Sequence, residues 1–142
     1  MWSWWKQKPR VVEGRREMPS VGTLFTLSLP EAAGVARPDT IGESLMKYAE
    51  RPKPYRALLV DLKGQPYLFS SGDLTGLVMA GVDEQSRLFV PCVVVAVGRA
   101  EEHLRDLLRV TRLDRLDYLM VAPSESDALE AILRFLASVA AR

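Results

Sequence analysis

The chain has 142 residues, 48% of them hydrophobic and 26% charged, with a formal net charge of +1. That length and balance suit one globular domain with a single core, and they give no overall electrostatic draw toward nucleic acid or membrane. One cysteine and one histidine exclude an internal disulfide and leave no zinc site of the usual kind.

The N-terminus reads MWSWWKQKPR, with Trp2, Trp4 and Trp5 beside Lys6 and Lys8. Trp suits a lipid headgroup layer and Lys suits anionic lipid, so a membrane-contacting arm is one reading. Ten residues make a short anchor, and a segment folded back over the core edge is the other reading. No apolar run is long enough to span a bilayer and no signal-peptide core is visible, which points to the cytoplasm. Residues 1–19 are expected to form an arm and a possible first strand, and residues 20–142 the domain proper.

"RVVEGRREM" and "GTLFTLSLP" predict strands separated by "PSV". Ile41, Leu45, Met46 and Ala49 fit one face of a helix. "ALLVDL" (57–62) is the continuous apolar run of a strand covered on both faces. Leu74, Leu77, Val78 and Val82 predict a second helix. "PCVVVAVG" (91–98) predicts the central strand, in which Cys92 would be a buried, inert thiol. Leu104, Leu107 and Leu108 mark a third helix. "YLMVA" (118–122) predicts the last strand. Leu129, Ile132, Leu133, Leu136 and Val139 mark a fourth helix. Pro38, Pro52, Pro54, Pro91 and Pro123 fall at the boundaries. Strands alternating with helices predict an α/β fold with right-handed crossovers and a largely parallel sheet. A hairpin of the first two strands would make that sheet mixed.

Three of the helices open with one spacing: Thr40 with Glu43, Ser70 with Asp73, and Ser124 with Asp127. This is the capping box, in which a hydroxyl accepts a first-turn N–H and an acid three places on reaches back. Ser70 is therefore expected to cap a helix. Ser71 and Gly72 go beyond what a cap requires, since Gly in a helix costs about 1 kcal/mol relative to Ala. Gly76 and Gly81 follow on the same helix. Small residues there allow a sheet, a ligand or a partner to approach closely. The helix also starts at the carboxyl end of a strand, where open α/β sheets bind ligands.

"DLKGQPYLFSSG" (61–72) resembles the signature of STAS domains, the anti-anti-sigma-factor fold. That signature runs Asp-Leu-Ser-Gly-Val-x-x-aliphatic-Asp-Ser-Ser/Thr-Gly. Asp61 and Leu62 match its opening, Leu68 its aliphatic position, and Ser70, Ser71 and Gly72 its close. "LLRVTRLDRL" resembles the family's Leu-x-x-Thr-Gly-Leu-Asp-x-Leu run, and "SESDALEAI" its closing helix. The resemblance implies a four- or five-stranded mixed sheet with about four helices packed mainly on one side. It implies no catalysis and no cofactor. It implies a protein partner, an anti-sigma factor or kinase-like ATPase, released when the first serine of the motif is phosphorylated. By position that serine is Ser70, with Ser71 the second candidate. The partner face would comprise Asp61, Phe69, Ser70, Ser71, Gly72 and Asp73. Three positions depart from the pattern. Phe69 stands where the family has an acid, Asp73 where it has Leu, and Arg112 where it has Gly. Asp73 would set a like charge one turn from a phosphate on Ser70, or itself serve as a standing negative charge.

Two other function classes stay open. One is a small-molecule- or lipid-associated domain docked at a membrane through residues 1–10, although no Gly-rich phosphate loop is present. The other is an enzyme with Ser70 or Ser71 as nucleophile and His103 as base. It lacks the Gly-x-Ser-x-Gly elbow, and His103 is expected on a solvated helix face. Asp61 could serve a site or cap the following loop. A homodimer is compatible with all of these readings.

Overall fold

The computed structural model describes residues 11–30, 40–47, 53–83 and 88–140. The Trp-rich arm with Trp2, Trp4 and Trp5 lies outside the described residues, as do Pro38, Ala49 and Pro52.

Strand β1 (Val12–Met18) and strand β2 (Gly22–Ser28) form an antiparallel hairpin, in unbroken register from Val12 opposite Ser28 to Met18 opposite Gly22. The connection turns through Ser20 at φ 70° and Gly22 at φ 104°, the left-handed region. Strand β1, within the segment where a possible first strand was expected, is paired with β2 along its whole length. Strand β2 then runs parallel to β3 (Ala57–Asp61), β3 to β6 (Cys92–Val95) and β6 to β7 (Leu119–Ala122). The fold is thus α/β, with one five-stranded mixed sheet in the order β1-β2-β3-β6-β7. Among the described residues four helices accompany it: α1 (Thr40–Met46), α2 (Ser71–Ala80), α3 (Gly98–Val110) and α4 (Glu125–Ala140). Two-residue strands β4 (Val82–Asp83) and β5 (Leu88–Phe89) pair apart from the main sheet.

The placement of the helices follows from the strand order. Each parallel connection steps to the next strand in the same direction. Crossovers of one hand then put their helices on one face. Ile41 and Leu45 of α1, Leu74 and Leu77 of α2, and Leu104 and Leu108 of α3 pack there against Leu27, Leu58, Val60 and Val94. Helix α4 follows the last strand and makes no crossover. Its Ala128 and Ile132 cover the other face, against Leu24, Leu59, Val93 and Ala122. The all-apolar strands are covered on both sides, and every residue of β3 and β6 is buried. Cys92 is among them, and burial pushes its thiol up to about 12.

Two expectations change. Val82 belongs to β4, since α2 ends at Ala80 and is capped by Gly81, where an added Cβ would run into the Tyr118 ring. Met46 and Leu133 are exposed, so the apolar stripes of α1 and α4 are narrower than their periodicity suggests. Thr40 is the first described residue of α1. Among the described residues no helix is long and apolar enough to cross a membrane.

Candidate functional site

The candidate site lies where β3 ends and α2 begins. Asp61 closes β3 and is almost fully buried. Its Oδ1 accepts the Lys63 N–H at 2.8 Å, and its Oδ2 lies 3.5 Å from Lys63 Nζ. Lys63 and Gly64 both turn with positive φ, 55° and 74°. Asp61 therefore pins the turn that follows it, which is the capping role left open for it above.

The next residues run extended and alternate sides. Tyr67 and Phe69 point inward and meet edge to face, with ring centroids 5.0 Å apart. Leu68, between them, is 64% exposed. Ser70 then caps α2 as its spacing predicts. Its Oγ accepts the Asp73 N–H at 3.1 Å, and Asp73 Oδ2 accepts the Ser70 N–H at 3.0 Å. At α4 the Ser124 Oγ likewise accepts the Asp127 N–H at 3.1 Å, and the Ser124 hydroxyl donates to the Asp127 carboxylate at 3.0 Å.

Asp73 does more than complete a cap. It is fully buried. Its Oδ2 also accepts the Tyr67 hydroxyl at 2.8 Å, and its Oδ1 accepts the Gly42 N–H, from the first turn of α1, at 2.7 Å. The Tyr67 oxygen in turn accepts the Ile41 N–H at 3.3 Å. One carboxylate thus takes an N–H from the first turn of α1 and the N-cap N–H of α2, at the positive ends of both dipoles. Hydrogen bonds to every side of the charge are what make its burial tolerable.

The glycines serve the same junction. A Cβ on Gly42 would lie 2.6 Å from the Gly72 carbonyl oxygen, and one on Gly76 would lie 3.0 Å from Gly42 Cα. Helix α1 is the backbone that comes close, in the place where the sequence left a sheet, a ligand or a partner open.

The six residues expected on the partner face therefore separate. Asp61, Phe69 and Asp73 are buried, Ser70 is half-buried, and Ser71 and Gly72 are exposed. Asp73 cannot present a standing charge to a partner. His103 also departs from expectation. It is half-buried, with Nε2 3.4 Å from the Phe69 carbonyl oxygen.

The surface that remains is the outer side of α2. The only charged residue in this helix is the buried Asp73, and Ser71, Gly72 and Thr75 are its exposed positions. A groove of about 600 Å³ runs along one flank, lined by Gly42, Glu43, Met46, Ser71 and Gly72. An apolar groove of about 340 Å³ runs along the other, lined by Leu74, Val78, Met79 and Leu113 with Ser71, Thr75 and Thr111. Ser71 borders both. The sequence signal for this surface was the run of uncharged residues after Asp73. Among the described residues no cluster of His, Cys, Asp or Glu could hold a metal ion.

No family model, curated protein or solved structure matches the chain.

Proposed function

We propose that the protein is a non-enzymatic, STAS-like binding domain of cytoplasmic bacterial signalling. It takes a protein partner on the outer face of α2, and phosphate at the start of that helix releases the partner. The observation that carries this reading is Ser71, exposed between two grooves on a helix that shows solvent no charge. Interface centres are depleted of charged residues in this way. A phosphoserine there would bring nearly two negative charges onto a helix face that carries none, beside Glu43 of the adjoining groove, which a partner could not desolvate. The free end of the helix would still accommodate it, so the fold survives. At Ser70 the phosphate would displace the Asp73 N–H from Oγ and sit beside the Asp73 carboxylate. Ser71 is the acceptor that avoids this conflict.

Backbone conformation supports the likeness to STAS domains. Gly64, at the glycine of the opening motif, has φ 74°. Arg112, where the family pattern has Gly, is left-handed at φ 63°, a conformation that glycine adopts most cheaply. The partner implied by the resemblance is an anti-sigma factor or a kinase-like ATPase. The lipid-docking alternative rests on Trp2, Trp4 and Trp5, outside the described residues.

The test is affinity capture from the native lysate with wild type, Ser71→Ala, Ser71→Asp and Ser70→Ala, together with intact-mass measurement of the native protein. Capture of one protein by wild type and Ser71→Ala, lost with Ser71→Asp, is the expected result. Equal capture by all four, with no phosphate adduct, would overturn the switch.

A further inference from the structure

The sheet has one long edge that no described element covers. Strand β1 is paired on one side only, along seven residues and without a bulge. It carries no Pro and no Lys, and its only guard is the charge of Glu13, Arg15, Arg16 and Glu17.

The hydrogen bonds of β2 show which groups that edge presents. The Arg56 N–H donates to the Thr23 carbonyl at 2.8 Å, and the Leu29 N–H donates to the Asp61 carbonyl at 3.1 Å. Odd-numbered residues of β2 thus turn their backbone groups toward β3, and even-numbered ones toward β1. Since Gly14 lies opposite Thr26 and Arg16 opposite Leu24, the even residues of β1 answer them. Glu13, Arg15 and Glu17 therefore aim their N–H and C=O groups outward, and all three side chains are exposed.

We infer that β1 is a homodimer interface, pairing antiparallel with β1 of a second copy around a two-fold axis at Gly14. The charges select this register. It sets Glu13 opposite Arg15 of the other copy, twice, in hydrogen-bonded pairs. Gly14 meets itself at the close, non-bonded position and leaves it unobstructed. A slip of two residues one way opposes Glu13 to Glu17 and Arg15 to itself, which repels. A slip of two the other way opposes Glu13 to itself, which also repels, and a register centred on Arg16 pairs Arg15 with Glu17 but sets Glu13 against Pro19, which has no N–H to give. The side chains are already suitably placed. Glu13 bonds Lys47 of α1 at 3.0 Å, and Arg15 lies 4.7 Å over the Phe25 ring, so both stand on the face that carries α1–α3. The interface is separate from the partner face on α2, and either can fail without the other.

Analytical ultracentrifugation over a concentration series reaching several hundred micromolar tests it, since short edge contacts bind in the micromolar range. Wild type should dimerise as concentration rises. Arg15→Glu, which opposes acid to acid, should be monomeric at every concentration. The charge swap Glu13→Arg with Arg15→Glu should restore the dimer. Hydrogen exchange on wild type adds a readout that needs no variant: the amides of Glu13, Arg15 and Glu17 should gain protection with concentration. A wild type monomeric throughout, or a dimer in which those amides stay unprotected, would overturn the inference. So would a folded charge swap that fails to associate.

Discussion

At the scale of single residues, Asp73 is the centre of the structure. Its sequence context, a polar helix start after two serines and a glycine, reads as surface. What the linear pattern does not carry is that α1 arrives from 31 positions upstream to donate to the same carboxylate. The signal that existed was Gly42 and Gly76, two small residues on two apolar helices, which together make a close crossing. Replacing Asp73 with Ala strands the Gly42 and Ser70 N–H groups and the Tyr67 hydroxyl, each buried donor worth about 1–3 kcal/mol. We expect Asp73→Ala to lose about 3 kcal/mol or more in urea denaturation. The adjacent serines should differ as their roles do. Ser70→Ala should cost about 1 kcal/mol as a lost cap, and Ser71→Ala less than about 0.5 kcal/mol as a surface change. Equal losses at both positions would contradict the division of labour between them.

At the scale of elements, the apolar runs were legible because continuous Val, Leu and Ala stretches are what doubly covered strands require. The runs at 57–62, 91–98 and 118–122 contain β3, β6 and β7. The hairpin of β1 and β2 was legible from its turn residues. The β4–β5 pair was not, since two-residue strands have no period, and Val82 continued the helical one. The face chosen by α4 was equally hidden, because an amphipathic stripe tells that a helix packs but not on which side. One misfit remains testable at this scale. The turn after α3 passes through Arg112 in a left-handed conformation that costs a residue with a Cβ about 1 kcal/mol. Arg112→Gly should therefore raise stability, by about 0.5–1 kcal/mol. Thermal unfolding with a Tm at or below wild type would show that the guanidinium does something there.

At the scale of the whole molecule, the doubly covered sheet sets a pH limit. The Cys92 thiol has an ordinary value of 9.0 when exposed and is pushed up to about 12 in the fold. Below 9.0 both states hold the proton and this group gives no pH dependence. Above it the unfolded chain loses the proton while the folded one keeps it. Stability therefore falls as pH rises toward about 12, by up to about 1.4 kcal/mol per pH unit from this group alone. Tyr118, raised by burial and then by Cys92, pushes in the same direction. Denaturation midpoints measured on both sides of pH 9.0 should drop more steeply for wild type than for Cys92→Ala. Parallel slopes would place the alkaline weakness elsewhere.

The two faces of the sheet are finished at different times as the chain is made. Helices α1, α2 and α3 lie between the strands they connect, so their face is roofed strand by strand. The opposite face, with Leu24, Leu59 and Val93 upon it, has no roof until α4, which follows every strand. A nascent chain that has completed its sheet but not yet α4 shows water a bare apolar plane, the kind of surface chaperones hold and neighbouring chains stick to. The element with no crossover to make is thus the one that closes this face.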